Sequence, residues 1–214
     1  MRVKTKNLAL VFIPLLALIV IIYQVYLLKQ RLSPLPNFDV VVKEKIYRSG
    51  QIKPEAIEKL AEDYRIKTII CLRGAENRDV SSSAKKFGIN VIGVKMKKGE
   101  TPDMKQTELV LKILTETPVS YEDYKNIIQQ WPAPRNTPVR FPPPFLIHCQ
   151  RGKDRTGFVV AIYRICFQGW SVEKASEEMR EHYHLWLVNS PKFLGALKKI
   201  VPEQYCPEIY SEYH

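Results

Sequence analysis

The chain is short of the residues that build metal sites and crosslinked scaffolds. It holds four cysteines and four histidines in 214 residues. The cysteines, at positions 71, 149, 166 and 206, have neither the close pairing of a disulfide framework nor metal-ligand spacing. A zinc ribbon or a small crosslinked module is thereby excluded as the organising device, and Cys71 and Cys166, each inside an apolar run, read as core. No internal repeat is visible, which excludes a solenoid. No nucleic-acid-binding module is recognisable, so nucleic acid is not expected as a partner. Acidic side chains are the minority, with 22 Asp and Glu against 33 Lys and Arg.

That imbalance is concentrated at the start. The first 31 residues carry five basic and no acidic side chains, and the remainder holds 28 basic against 22 acidic residues, a net charge of +6. Arg2, Lys4 and Lys6 precede Leu8 to Leu28, an uncharged run broken mildly by Pro14 and Gln24 and closed by Lys29 and Arg31. A helix of that length spans about 30 Å of hydrocarbon. Tyr23, Gln24, Tyr26 and Leu28 occupy the zone where a cleaved leader would carry small residues, so the run reads as an uncleaved anchor with Tyr23 and Tyr26 near the membrane boundary. Residues 1–31 are expected to be a transmembrane helix, with the large domain outside the cytoplasm. In a bacterium this makes a single-pass inner-membrane protein facing the periplasm. Pro34 and Pro36 mark 32–38 as a short stiff linker, and 39–214 is long enough for one domain with a full core.

The chemistry concentrates in His148-Cys149-Gln150-Arg151-Gly152-Lys153-Asp154-Arg155-Thr156-Gly157. Phe145-Leu146-Ile147, led in by three prolines, reads as a buried strand, and the apolar run from Phe158 to Phe167, ended by Gly169, reads as a core helix. The expected unit is strand, tight loop, helix. A thiol at a helix N-terminus among cations has its pKa lowered into the range of about 3.5–7.5, so Cys149 is expected as a thiolate. Backbone N–H groups from Gln150 to Gly157 can curl around an anion, with Gly152 and Gly157 relieving the sterics of the loop. Arg155 returns as a planar fork for two phosphate oxygens, and the Thr156 hydroxyl sits where it can donate to the sulfur.

His148-Cys149, five residues, then Arg155-Thr156-Gly157 resembles the signature loop of the cysteine-dependent protein tyrosine and dual-specificity phosphatases. Tyr47-Arg48-Ser49-Gly50-Gln51 is similar to an opening segment found in several members. The resemblance implies a two-step reaction in which Cys149 forms a phosphocysteine that water then hydrolyses, with loop amides and Arg155 in place of a metal and no cofactor. It implies an α/β fold, a mainly parallel central sheet flanked by helices, of the dual-specificity type. It also implies a general acid on the loop after the strand preceding the long helix, here residues 95–103. Asp103 is the first choice and Glu100 the second, while Thr101-Pro102-Asp103 also reads as a helix start with Thr101 as N-cap. Asp154, inside the signature as in the myotubularin-like lipid phosphatases, is a third acid candidate or a brace for Arg155.

Substrate contacts are expected from Gln150, Arg151, Gly152, Lys153, Asp154, Gly157 and Arg73, the last at the end of the strand 68–72. The expected substrate is a phosphotyrosine, phosphoserine or phosphothreonine protein. Lys153 and Arg151 leave open a phosphoinositide or inositol phosphate, since basic residues in this loop resemble those enzymes. His148 is expected to orient the loop. Strands at 40–42, 46–48, 68–72 and 90–94 and helices from Pro54 and at 79–87, 103–116, 121–130, 171–183 and 191–200 complete the domain, with His182-Tyr183-His184 as a helix end. Residues 117–144 form an unusually long connection carrying Tyr121, Tyr124 and Trp131. A non-catalytic phospho-ligand sensor is the competing class. Sulfur transfer on a rhodanese-like loop is disfavoured by Arg155-Thr156-Gly157.

Overall fold

Short apolar runs bounded by turn residues become the inner strands here, where they are buried on both faces. The computed structural model describes residues 6–123, 128–129, 138–182, 191–199 and 206. β1 (Asp39–Val42) and β2 (Ile46–Ser49) form the opening hairpin. β3 (Thr68–Cys71), β4 (Asn90–Val94), β5 (Ile128–Gln129) and β6 (Phe145–His148) complete a six-stranded sheet of order β1-β2-β6-β3-β4-β5. The four inner strands run parallel and the two edges, β1 and β5, antiparallel. The expected mainly parallel α/β architecture is the observed one.

Successive strand residues feed opposite faces. Ile46, Ile70, Ile92, Phe145 and Ile147 enter the larger core, while Tyr47, Ile69, Val91 and Leu146 enter the smaller. The smaller core is closed by α2 (Ile57–Glu62) and α3 (Arg78–Lys86), the larger by α4 (Met104–Leu114), α5 (Asp154–Gln168), α6 (Val172–Glu181) and α7 (Pro191–Lys198). α5 is buried from Arg155 through Cys166 and stops at Gly169, whose φ of 62° is the left-handed conformation glycine adopts freely. β6, signature loop and α5 form the strand–loop–helix unit at the centre of the molecule.

Several local expectations are corrected. Pro54 opens a 3-10 turn, Pro54–Ala56, and the α-helix begins only at Ile57. The N-cap of α4 is Asp103, not Thr101: its Oδ1 accepts from Gln106 N at 2.9 Å. The helix expected over 121–130 does not reach its end, because Ile128 and Gln129 pair with Val94 and Gly93 as a strand; residues 124–127 and 130–137 lie outside the described residues. Cys166 is core but not free, being joined to Cys206 by a disulfide with a Cα–Cα distance of 5.6 Å. His182 caps α6 as expected, its Nε2 3.4 Å from Asp39 Oδ2, and His184 lies outside the described residues.

α1 (Lys6–Leu32) contains the apolar stretch Phe12–Lys29, long and apolar enough to cross a membrane, with none of it buried against the domain. The residues after it are docked, not slack. Pro34 O accepts from Lys53 N at 2.9 Å and Pro36 O from Gly50 N at 2.7 Å. Leu35 and Phe38 pack against the smaller core, with Phe38 4.6 Å from the Tyr64 ring and 5.7 Å from Tyr47.

Candidate active site

The loop between β6 and α5 owes its shape to three donors on its outer side. Gln150 O accepts from Gln51 N at 3.1 Å, Arg151 O from Asn37 Nδ2 at 2.7 Å, and Gly152 O from Arg48 Nη2 at 2.7 Å. These peptides are trans, so each carbonyl drawn outward turns the N–H on the other side of its peptide inward. The Arg151 N–H thereby reaches the Cys149 sulfur, and the N–H groups of Gly152 and Lys153 turn away from the outer donors. Gly152 makes the path possible: its φ is 72°, and a Cβ there would lie 2.6 Å from the Ser49 carbonyl.

Cys149 sits buried at the floor of this cradle. Burial alone would push its thiol up, but hydrogen bonds from the Thr156 hydroxyl and N–H and from Arg151 N–H, with the nearby Arg155 charge, reverse this and hold it below the ordinary thiol value. The Thr156 hydroxyl is buried, has no other hydrogen-bond partner, and acts on the sulfur to lower its pKa. Arg155, also buried, donates Nη1 to Leu72 O at 3.3 Å and Met96 O at 3.0 Å, just beyond the ends of β3 and β4. That fixes the back of the guanidinium and presents its other nitrogens to an oxyanion. Arg48 lies beneath the loop, 1% exposed, its pKa lowered by burial to about 10.

Behind Cys149, His148 is enclosed by Glu76 and Cys71. Its Nε2 is 2.6 Å from Glu76 Oε2, and Glu76 Oε1 accepts from Gln51 Nε2 at 2.8 Å and Asn77 N at 2.7 Å. Burial opposes charge on both partners. For His148 the Cys71 sulfur and Glu76 carboxylate outweigh it and raise the pKa to about 10; for Glu76 the bonds from His148, Asn77 and Gln51 lower it to about 2. The donor atoms of Cys71, Glu76 and His148 lie within 4.8 Å of one another, a set of metal-ligand types. At 2.6 Å the imidazole and carboxylate are closer than the roughly 3.3 Å between tetrahedral zinc ligands at ~2.0–2.1 Å from the metal, and they form a buried ion pair.

Residues 32–186, signature loop and its outer donors included, match the model of the tyrosine phosphatase family. The chain belongs to that family. Among curated members it is similar to inositol diphosphatase DSP3 of Arabidopsis thaliana, 29% identical over 189 residues that cover 86% of this chain and 80% of the relative. A 37-residue stretch is 51% identical to the dual specificity protein phosphatase TpbA of Pseudomonas aeruginosa, a match that spans only 17% of either chain. The fold is that of the catalytic core of the PP-IP phosphatase Siw14 of S. cerevisiae, with a TM-score of 0.63 at 24% identity over 85% of this chain and 94% of that one.

The other residues expected at the site of this family member are placed unevenly. Gln150, Arg151, Lys153 and Asp154 surround the cradle, with Gln150 and Arg151 exposed and Lys153 and Asp154 half-buried. Lys153 is held below the ordinary ammonium value by its burial and by the Arg151 charge, so the loop concentrates positive charge beyond Arg155. Gly157 packs against α6, where a Cβ would stand 3.0 Å from Met179 Cγ. Arg73 bonds the Gln51 side chain and lines a cleft of about 440 Å³ beside Glu76. Asp103 is exposed and engaged as the α4 cap, and Glu100 is exposed 3.6 Å from Lys97. Asn37 and Glu76 carried no role at the sequence level, and Arg48 and Gln51 only membership of the opening segment. The motif around 47–51 was the one signal that could have found Arg48 and Gln51.

Proposed function

We propose that this family member is a phosphatase working through a phosphocysteine on Cys149. The observation that carries the reading is the cradle itself: inward N–H groups, a buried thiol held below its ordinary value, and an arginine fixed from behind. The Cys149 thiolate attacks phosphorus, the bond from phosphorus to the leaving oxygen breaks, and the sulfur keeps the phosphoryl group. Arg155 and the loop N–H groups balance charge on its oxygens, so the step needs no metal ion to do so. Asp103 protonates the leaving oxygen of an ester and then activates water, which displaces the sulfur as its bond from Thr156 stabilises the departing thiolate.

Arg151 and Lys153 supply more positive charge than one phosphate ester requires. They support a substrate with several phosphates, an inositol phosphate or phosphoinositide headgroup, over a phosphotyrosine protein, in line with the similarity to DSP3. α1 serves as the membrane anchor, and the Cys166–Cys206 disulfide favours placing the domain in an oxidising compartment such as the periplasm. The test is phosphate release by the full chain in detergent with EDTA, from an inositol pyrophosphate, a phosphoinositide and a phosphotyrosine peptide, beside Cys149→Ser. Fastest turnover of a multiply phosphorylated substrate, lost in the variant, is expected. Preference for the peptide would overturn the substrate assignment, and vanadate binding without any turnover would make the chain a sensor.

A further inference from the structure

Two of the three outer donors come from β2 and the residue pair after it, as expected of a neighbouring strand. The third comes from the far side of the fold's beginning: Asn37 lies 114 residues from Arg151 in sequence, in the segment joining the apolar helix to β1. Its backbone has a φ of 50°, the left-handed region that non-glycine residues rarely adopt and asparagine tolerates best. Such conformations persist where the surroundings enforce them. Here they do so on both sides, through the Pro34 and Pro36 carbonyl bonds to Lys53 and Gly50 and through the Phe38 ring packed against the paired rings of Tyr47 and Tyr64. The fit is tight. A Cβ on Gly50 would stand 3.1 Å from Pro36 Cγ and 3.2 Å from the Arg151 carbonyl, so strap, β2 end and signature loop meet without spare room.

From this arrangement we propose that Asn37 is a positioning residue for the reaction. By holding Arg151 O from outside, it fixes the Arg151–Gly152 peptide with the Gly152 N–H aimed at the phosphate. The 34–38 strap thereby becomes part of the cradle and ties the loop's shape to the end of α1, where Leu32 O accepts from Lys53 Nζ at 3.0 Å. The inference rests on the phosphocysteine reading for its kinetic consequence, but not for the geometry. The bonds that lower the Cys149 thiol come from the Thr156 hydroxyl and N–H and from the Arg151 N–H, whose peptide is held by Gln51 and not by Asn37. Losing Asn37 therefore weakens oxyanion binding and leaves the thiolate in place, a separation that general loosening of the loop would not produce.

The test uses the full chain in detergent with Asn37→Gly, which keeps the positive φ, and Asn37→Asp, which keeps the shape but sets an acceptor against the Arg151 carbonyl. Vanadate affinity and kcat/KM on a small aryl phosphate are each expected to fall about tenfold, chiefly in kcat, and further in Asn37→Asp. The pH midpoint of Cys149 alkylation by iodoacetate and the thermal midpoint of Asn37→Gly should stay at the wild-type values. Unchanged vanadate affinity would overturn the proposal. So would a fall accompanied by a shifted alkylation midpoint, which marks a structural role. If the wild type releases no phosphate, the phosphatase reading fails, while the vanadate and alkylation arms still decide the role of Asn37.

Discussion

Two loops leave the carboxyl ends of parallel strands and flank Arg155, and they are built in opposite ways. After β6, residues 149–153 have three successive carbonyls held from outside, and Gly152 has backbone where its Cβ would be. After β4, residues 95–103 begin by holding Arg155 through Met96 O, but then run exposed from Lys97 to Glu100, and a Cβ on Gly99 would meet nothing within 4 Å. Binding geometry is thus stored in the first loop. The second carries the Asp103 carboxylate, the proton donor of the proposed reaction, at an exposed position where it caps α4.

The contrast breaks most sharply at the glycines. Both have positive φ, 72° for Gly152 and 73° for Gly99. Gly152→Ala adds a backbone clash to the strain and should lower kcat/KM about 10²-fold or more, with weakened vanadate binding measured by competition. Gly99→Ala carries the strain alone, about 1–2 kcal/mol, and should leave vanadate affinity unchanged. Asp103→Asn comes next: a loss of about 10²-fold is expected on an aryl or alkyl phosphate, and much less on a pyrophosphate, whose leaving group needs no proton. No loss on either, read from steady-state kinetics, would mark Asp103 as a helix cap only, since asparagine caps as well.

The smallest effect concerns the ion pair under the first loop. Glu76, lowered to about 2, contributes stability that is present above the ordinary carboxylate value and lost as pH falls through about 2. His148, raised to about 10, contributes stability that is full below about 6.5 and lost as pH rises through about 10. The difference in urea stability between wild type and Glu76→Gln should therefore peak between about pH 4.5 and 6.5 and shrink on either side. A difference independent of pH would show that the two groups do not titrate as a pair.

The same contrast explains what the sequence made legible. Cys149, Arg155, Thr156 and Gly152 stand within eight residues, beside a strand and a helix that announce themselves by apolar runs, so the cradle's inner face is local information. Its outer face is not. Arg48 and Asn37 reach carbonyls 104 and 114 residues away, and no periodicity encodes such a pairing. Cys166 and Cys206 meet across 40 residues for the same reason. At the start of α4, Thr101 and Asp103 are both good caps around Pro102, and only the hydrogen bond to Gln106 decides between them. β5 is a two-residue strand, too short for any pattern to distinguish from the end of a helix.

The most direct test of the account is to trap the intermediate. The full chain, mixed with a substrate that proves to turn over and quenched in acid within one turnover, should carry the mass of one phosphoryl group on the peptide containing Cys149, and Cys149→Ser should carry none and turn nothing over. Label on any other side chain, or phosphate release undiminished in Cys149→Ser, would contradict it.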